Sequence, residues 1–464
     1  SPLAGSLGGT LAEVQLSGPV TGYLELMIPL TNSPEVVAKG YADLAGAEIY
    51  VRSLKETFTQ VDGRIHYHND VITAPTLTMN WRDFPLAAEL STQQREQDYF
   101  VAMQVDGRWQ LDEFAPLLMG TMPWQADFNL SLPNEGGYSF RWYQSASLND
   151  VSANLPAPLG KEQGVAQELE LTVSGDPDSV LVNAEIGEYG LLELQLNGDL
   201  SELQSGYARI GQLQQPTLAL NRGRHAPLFN VEIGLETGVV EDWLAVMTQL
   251  NRWLPEGAGE SDVARVLRPD LIQFESQQLR WLDMPFDGVQ IVARPQQDDW
   301  QLRVEAEQVL ADVYWRQKSA EHAAQIHIDA EYIDIPRIEW QQHDSAAVAA
   351  EDATPTWLPS NFAGLPELLL DCKRCRYDHY ELGEVSIHLR GEEHQLELAK
   401  LTAHYRGHQL DAKGHWLLET AEQYPQTRLF GRFESSNFGE FLDSYDITSM
   451  VRDSSATIDF DLHY

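Results

Sequence analysis

Strict alternation of apolar and polar residues is the feature that most constrains this chain. In the run 168–173, for example, Leu169 and Leu171 alternate with Glu170. Successive side chains of a β-strand project to opposite faces, so such a run predicts a strand with one apolar and one polar face. That pattern is typical of antiparallel sheet that is wetted on one side. The same alternation returns at 192–196, 301–307, 325–331, 384–390 and 457–463.

A looser unit of strand, turn and Trp-bearing strand recurs along the chain. It is visible at 286–315, at 382–416 and, in shorter form, at 61–81. The units match in pattern more than in identity, as expected of a repetitive sheet in which each unit packs on its neighbours.

Helices and linkers are few. The run 241–254 has apolar residues at helical spacing and is followed by Pro255, which predicts a helix that stops there. Shorter helices are predicted at 111–118 and 437–444. Runs rich in Pro, Gly and polar residues predict linkers at 134–137, 156–164, 255–260 and 343–356.

The charge balance limits the possible partners. The chain has 31 Lys and Arg against 70 Asp and Glu, a formal net charge of -39. Nucleic-acid binding requires a basic surface, and an anionic membrane surface repels an acidic one. We therefore expect no nucleic acid, and any lipid contact must be apolar and internal or belong to parts of a longer protein. No apolar run approaches the roughly 20 residues of a membrane-spanning helix. We expect both ends to be cut from a longer chain.

Motifs for catalysis or metal binding are weak. The sequence has no nucleophile elbow, phosphate-binding loop or zinc-protease motif. Asp459 and Asp461 share one strand face, where a carboxylate pair for glycoside hydrolysis is far less common than a solvated face. Cys372 and Cys375 precede a group of histidines that suggests zinc, but their spacing does not organise a second pair of ligands. We predict no enzyme activity, no metal and no cofactor. The histidines are His379, His388, His394, His404, His408 and His415.

Several phrases resemble the YhdP family of AsmA-like bacterial envelope proteins. The most specific is LNDVSANLPAPLGKEQG at 148–164, with its LPAPLGK core. Others are the short helix, Gly and Trp-bearing strand at 107–133, the phrase GPVTGYLELMIPL at 18–30, and the Cys-x-x-Cys segment at 365–389. The resemblance is scattered over nearly the whole chain, and the order of its parts is more informative than any single motif.

The resemblance implies a periplasmic segment of a longer protein, anchored in the inner membrane of a Gram-negative bacterium by a part not present here. Such proteins are thought to carry phospholipid toward the outer membrane and to support its integrity. The implied fold is mainly β: a long, twisted and curved antiparallel sheet that forms a repetitive groove, with a few short helices. Expected partners are phospholipid acyl chains and, through the missing ends, other envelope proteins.

Two other functions stay open at this point. From alternation alone the apolar faces favour the closed core of a β-sandwich, which would suit a structural scaffold without ligand. Surface aromatic and acidic residues would suit a carbohydrate-active enzyme. The resemblance favours the groove. It also places Cys372 and Cys375 in an oxidising compartment, which predicts a local disulfide; since an extended i,i+3 pair lies too far apart, we expect a turn there.

We expect four segments: a β-rich segment over 1–155, groove repeats over 156–342 with the helix near 241–254, a linker over 343–356, and a further groove segment over 357–464 that is cut at its C-terminal end. The positions predicted to line the groove are Leu169, Leu171, Leu192, Leu194, Leu302, Val304, Ile387, Leu389, Leu396, Leu398, Ile458 and Phe460.

Overall fold

The computed structural model describes residues 14–28, 37–51, 56–82, 84–95, 98–212, 228–253, 268–281, 284–296, 299–318, 323–336, 362, 365–418, 426–445, 447 and 450–463. The fold is mainly β with few helices, as predicted. The strands fall into two compact units, described separately below. The predicted linker at 343–356 lies outside the described residues, and the other predicted segment boundaries stay predictions.

Among the described residues, the first unit holds fourteen strands. They are β1 (Val14–Ser17), β2 (Val20–Met27), β3 (Val37–Val51), β4 (Glu56–His68), β5 (Val71–Trp81), β6 (Phe84–Gln94), β7 (Asp98–Gln110), β8 (Leu118–Pro133), β9 (Ser139–Ser147), β10 (Val151–Ala153), β11 (Glu168–Gly175), β12 (Ser179–Ile186), β13 (Gly190–Asn197) and β14 (Leu203–Gly211).

All pairings described in the first unit are antiparallel, and most join strands that follow one another in the chain. β1 and β2 lie end to end along β3. β9 pairs directly with β11, because the short β10 pairs instead with the start of β8. The sheet therefore runs without interruption from β9 to β11. The predicted helix at 111–118 is present only as a 3₁₀ turn, Asp112–Phe114.

In the part of the chain that the structure describes, the second unit holds twelve strands and two α-helices. They are β15 (Phe229–Val239), α1 (Val240–Trp253), β16 (Leu271–Trp281), β17 (Met284–Gln296), β18 (Asp299–Glu305), β19 (Val309–Arg316), β20 (Gln325–Ile335), β21 (Glu367–Tyr377), β22 (Tyr380–Gly391), β23 (Gln395–Tyr405), β24 (His408–Leu417), β25 (Gln426–Ser435), α2 (Phe438–Ser444) and β26 (Ala456–His463).

The second unit departs from the predicted antiparallel sheet at two pairings. β15 pairs with β16 in parallel, and so does β20 with β21, while the other strand pairs of this unit are antiparallel. A parallel pairing requires a long crossover connection. The chain supplies one between β15 and β16, which includes α1, and another between β20 and β21. Alternation within a strand does not reveal its direction, which is why the sequence did not indicate these two pairings.

A β-bulge places Cys372 and Cys375 on the same side of β21. The two residues are disulfide-bonded, with 5.9 Å between their Cα atoms. In a regular strand, residues three apart project to opposite faces. Here the register of β21 against β22 shifts between Cys372 and Cys375, so Lys373 and Arg374 bulge outward together. A bulge inside a strand thus replaces the turn that the sequence predicted.

We expect no free thiol in the oxidised protein. Titration under denaturing, non-reducing conditions should detect none, and reduction should release two thiols. Because so short a loop restricts the unfolded chain little, reduction should lower the free energy of unfolding by about 2 kcal/mol or less, measured by urea denaturation. Two free thiols before reduction would contradict this pairing.

Candidate functional site: the apolar face of the sheet

In the first unit the predicted groove residues share one face. Residues opposite each other in a ladder project to the same side. Leu171 on β11 lies opposite Ala184 on β12, which lies opposite Leu192 on β13. In the adjacent row of the ladder, Val182 lies opposite Leu194. Leu169 lies in the next row, opposite Ala146 and Ile186.

The second unit has the same arrangement. Leu302 and Val304 on β18 lie opposite Val313 and Ala311 on β19. Further rows carry the face through the parallel pairing of β20 with β21 to β26. The remaining predicted residues lie in these rows: Ile387 opposite Leu401, Leu389 opposite Leu398, Leu396 opposite Trp416, Ile458 opposite Phe433, and Phe460 opposite Gly431.

We call this side of the strands in each unit its apolar face. Most of the predicted residues on it are half-buried; Leu398 is 5% exposed, while Ile458 is 41% exposed. Other large side chains of the face are exposed as well, including Leu24 and Leu462, each at 57%. These exposed side chains lie on β2 and β26, each of which pairs with a single neighbouring strand in the described residues. The face is thus half-buried along most of its rows and exposed at these two strands.

The opposite side, the polar face, is charged and wetted. Glu170, Glu193 and Glu305 are exposed, as expected from alternation. Cross-strand ion pairs cover this face. In the first unit, Arg64 donates two hydrogen bonds to Asp43, at 2.6 and 2.9 Å, and this contact lowers the pKa of the Asp43 carboxyl. Ion pairs this exposed add little to the stability of the fold, so their main effect is to favour the register.

A cap closes one end of the apolar face in the first unit. We define the first cap as residues 111–117 and 148–164, the segments that join β7 to β8 and β9 to β11. Leu111 and Val151 of this cap are buried together with Trp124 and Ala146 of the sheet. The LPAPLGK phrase belongs to it: Lys161 Nζ donates to the carbonyl of Val151 at 2.6 Å. The run 156–164, predicted as a linker, is therefore folded onto the sheet.

A second cap, residues 436–445 and 450–455, lies at one end of the strands in the second unit. Its helix α2 is held at its N-terminus by Asn437, whose side chain accepts from the Glu440 N–H. The ring of Phe441 in α2 packs against Phe433 of the apolar face, with 4.4 Å between centroids. It also meets His408 at 5.3 Å. Aromatic contacts of this kind bury large apolar area, so α2 is anchored to the face.

Sequence reasoning missed a row of aromatic residues beside the first cap. Trp109, Trp124, Trp142 and Phe128 follow one another across β7, β8 and β9, with centroid distances of 5.5, 6.4 and 6.4 Å. The signal was present, because Trp124 and Phe128 occupy alternate positions of β8 together with Ala126. The row marks the best-buried part of the face.

The candidate catalytic and metal residues have other contacts. Asp459 and Asp461 are paired with Arg432 and Arg428 across the β25–β26 ladder, and these guanidinium groups lower the pKa of both carboxyls. Within the described residues, no group of three or more His, Cys, Asp or Glu is placed to hold a metal ion. His388 contacts Glu367 and His408 contacts the Ser435 hydroxyl, rather than each other.

A concavity of about 780 Å³ lies in the second unit, away from the apolar face. Charged residues line much of it, among them Lys373, Glu384, Arg406 and Glu434. Opposite charges are mixed along its wall, so it has no clear preference for an anion or a cation. Among the described parts of the chain, no helix is both long and apolar enough to cross a membrane.

These features define a class: a mainly β protein whose sheet carries one apolar face, partly open, and one charged face. A family model described as "YhdP protein" matches residues 1–464. The chain belongs to the YhdP family. It is similar to the "Intermembrane phospholipid transporter YhdP" of Escherichia coli (strain K12), with 24% identity over 472 residues. That match covers the whole of this chain and 35% of the relative, so the chain spans about a third of that protein. No solved structure matches the chain.

One carboxylate on the polar face should give stability a clear pH dependence. Arg390 and His388 contact Glu367 Oε1, and Gln325 donates to Oε2 at 2.9 Å. These hydrogen bonds, that of Arg390 first, lower the pKa of Glu367 to about 2. The folded pKa lies below the unfolded one, so the stabilisation is present above about pH 4.5 and is lost as the pH falls toward 2.

We predict that Glu367→Gln lowers the free energy of unfolding by about 1–2 kcal/mol at pH 7, allowing for solvent screening. The difference from the unaltered chain should shrink as the pH falls from 4.5 to 2, measured by denaturant titrations. Glu193→Gln, at an exposed position on the polar face of the first unit, is the matched control and should change stability by less than about 0.5 kcal/mol. A Glu367→Gln effect independent of pH would contradict the assignment.

Proposed function

We propose that this chain carries phospholipid acyl chains along its apolar face, in the periplasm, between the inner and outer membranes. The observation that carries the proposal is the incomplete burial of that face. In each unit, rows of Leu, Ile, Val and aromatic residues run across successive strands and stay half-buried or exposed. Contiguous exposed apolar surface in a folded protein is typical of a binding site for an apolar partner.

The energetics suit an acyl chain. Leaving water is worth about 0.8 kcal/mol per CH₂ group, so a whole chain gains on the order of 10 kcal/mol when fully covered. An open face covers only one side of the lipid, which reduces this gain and allows release. Similar rows on successive strands offer a similar environment at each step, so a chain could move between rows without a large barrier.

The dimensions also fit. β8, β9, β11, β12, β13 and β14 are successive neighbours in the first unit. At about 4.8 Å per strand, these six strands span about 24 Å. The hydrocarbon core of a bilayer is about 30 Å thick and holds two layers of acyl chains, so one chain extends about 15 Å. The apolar face of this unit is therefore wide enough for an acyl chain.

Family membership supports the same proposal. The similar Escherichia coli protein is named as an intermembrane phospholipid transporter, and this chain covers about a third of its length. We infer that the chain works as part of a longer protein anchored in the inner membrane, with other envelope proteins as partners, and that lipid delivery supports outer-membrane integrity. The net charge of -39 suits a body that stays in solution and meets lipid only through its apolar face.

Photo-crosslinking in cells should test lipid occupancy directly. A crosslinking residue at Leu194 or Val304, on the apolar face, should capture phospholipid that is detectable by mass spectrometry. Glu193 and Glu305 are the matched controls, because each is the chain neighbour of a test site and projects to the polar face. Lipid adducts at the controls but not at the test sites, or no adduct at any site, would contradict the proposal.

Replacing Leu194 by Asp should separate a groove from a closed core. Leu194 is half-buried, so a carboxylate there keeps contact with water, and the free energy of unfolding should fall by less than about 3 kcal/mol. In the full-length protein the same change should block lipid passage, because an acyl chain would have to cross a charge. Destabilisation well above this limit, measured by urea denaturation, would instead indicate a sandwich core.

A further inference from the structure

The strands of the second unit end in two chemically different ways. At the end where β23 and β25 finish, the second cap covers the apolar face through Phe433 and His408. At the other end, where β19 and β24 finish, Trp315 and Trp416 are 42% and 41% exposed. Between them Phe362, 3% exposed, lies over Gly391 on the apolar face, and its N–H donates to the Glu393 carbonyl. The second cap thus covers one end of the face, and at the other end two exposed indole rings flank a covered centre.

Both tryptophans belong to the apolar face. Trp315 lies opposite Trp300 and Ile326, and Trp416 lies opposite Leu396. An indole ring combines a large apolar body with one N–H donor, and Trp accumulates where apolar and aqueous phases meet, at the level of lipid head groups. An exposed Trp at the edge of an apolar face therefore suits the boundary between acyl chain and head group.

The spacing between the two ends fits one acyl chain. Trp416 and Leu410 are six residues apart on β24, and Leu410 lies opposite Phe433, which packs against α2. At about 3.4 Å per residue this distance is about 20 Å. An acyl chain extends about 15 Å, half the thickness of the bilayer core. A chain that starts at Trp416 and follows the strand thus ends before it reaches the cap.

From these observations, and resting on the proposed function, we infer that phospholipid lies along the strands of the second unit with its head group at Trp315 and Trp416 and its chain ends toward α2. The two tryptophans are positioning residues, because they hold the boundary between glycerol and head group at one edge of the apolar face. The second cap covers the other edge, so the boundary cannot lie there. All lipids on this unit then share one orientation.

The opposite orientation is a defined alternative. The charged concavity around Lys373 and Arg406 lies near the capped end, on the other side of the sheet from the apolar rows. A head group attracted by those basic side chains would be placed at the cap, and acyl chain ends would then lie at the tryptophans. The experiment below tells the two apart.

Fluorescence quenching measures the orientation. A small fluorescent amino acid is placed at Trp416 or at Phe441 in the 464-residue chain, loaded with phospholipid that bears a nitroxide on the head group or at the chain end. We expect the head-group label to quench the probe at 416 several-fold more than the probe at 441, and the chain-end label to do the reverse. Lys413, an exposed residue on the polar face of the same strand as Trp416, is the matched control, and a probe there should be quenched little by either label.

The outcomes are distinct. The reversed pattern, or equal quenching by both labels at both positions, would overturn the orientation while leaving lipid binding intact. No quenching by either label would overturn the proposed function itself.

Substitution of Trp315, made while position 416 or 441 carries the probe, distinguishes a role in positioning the lipid from a role in packing. With Trp315→Tyr, which keeps a ring and a polar group, the pattern should be retained. With Trp315→Leu, the difference between the two labels should fall by at least half while lipid is still bound. An unchanged pattern in the Leu variant, with folding intact by circular dichroism, would show that Trp315 does not position the lipid.

Discussion

The structure depends on the in-register pairing of apolar residues across neighbouring strands. Leu171, Ala184 and Leu192 lie side by side on β11, β12 and β13, and Val304, Ala311 and Ala330 do so on β18, β19 and β20. Each ladder passes the apolar face from one strand to the next. A slip of one residue would move a whole strand's apolar set to the charged side, so the register is strongly specified.

Bulges preserve this register where the sequence breaks its alternation. Leu398 and Leu401 are three residues apart, yet both lie on the apolar face, because the pairing of β23 with β24 shifts between them. Cys372 and Cys375 also lie three residues apart on the apolar face because of a bulge, and their disulfide bond links the two ends of that bulge. Lys373, displaced outward, pairs with Glu331 at 2.6 Å. Each bulge also bends its strand, so the same device that keeps the face apolar gives the sheet its local curvature.

Burial of the apolar face is uneven among the described rows, and this indicates where stability comes from. The deepest burial lies under the first cap and around the Cys pair. Elsewhere on the face, the buried positions include small residues such as Ala38, Ala293 and Ala412, which their larger neighbours can cover. Large side chains in the open rows keep contact with water, which costs stability and leaves surface for an apolar ligand. The apolar face therefore has two roles: it forms a buried core under the caps, and it leaves apolar surface exposed in the open rows.

The sequence by itself determined the strand class, the two-sided character of each strand and the membership of the apolar face. All twelve predicted groove positions lie on that face within their units, because the period of two depends only on local backbone geometry. It also placed α1 and α2 to within a residue or two. Tertiary structure alone decided the parallel pairings, the bulge at Cys372–Cys375 and the folding of 156–164 onto the sheet. These depend on contacts between residues far apart in the chain. Whether a face is covered depends on the layer that packs on it. The alternation within a strand gives no information about that layer.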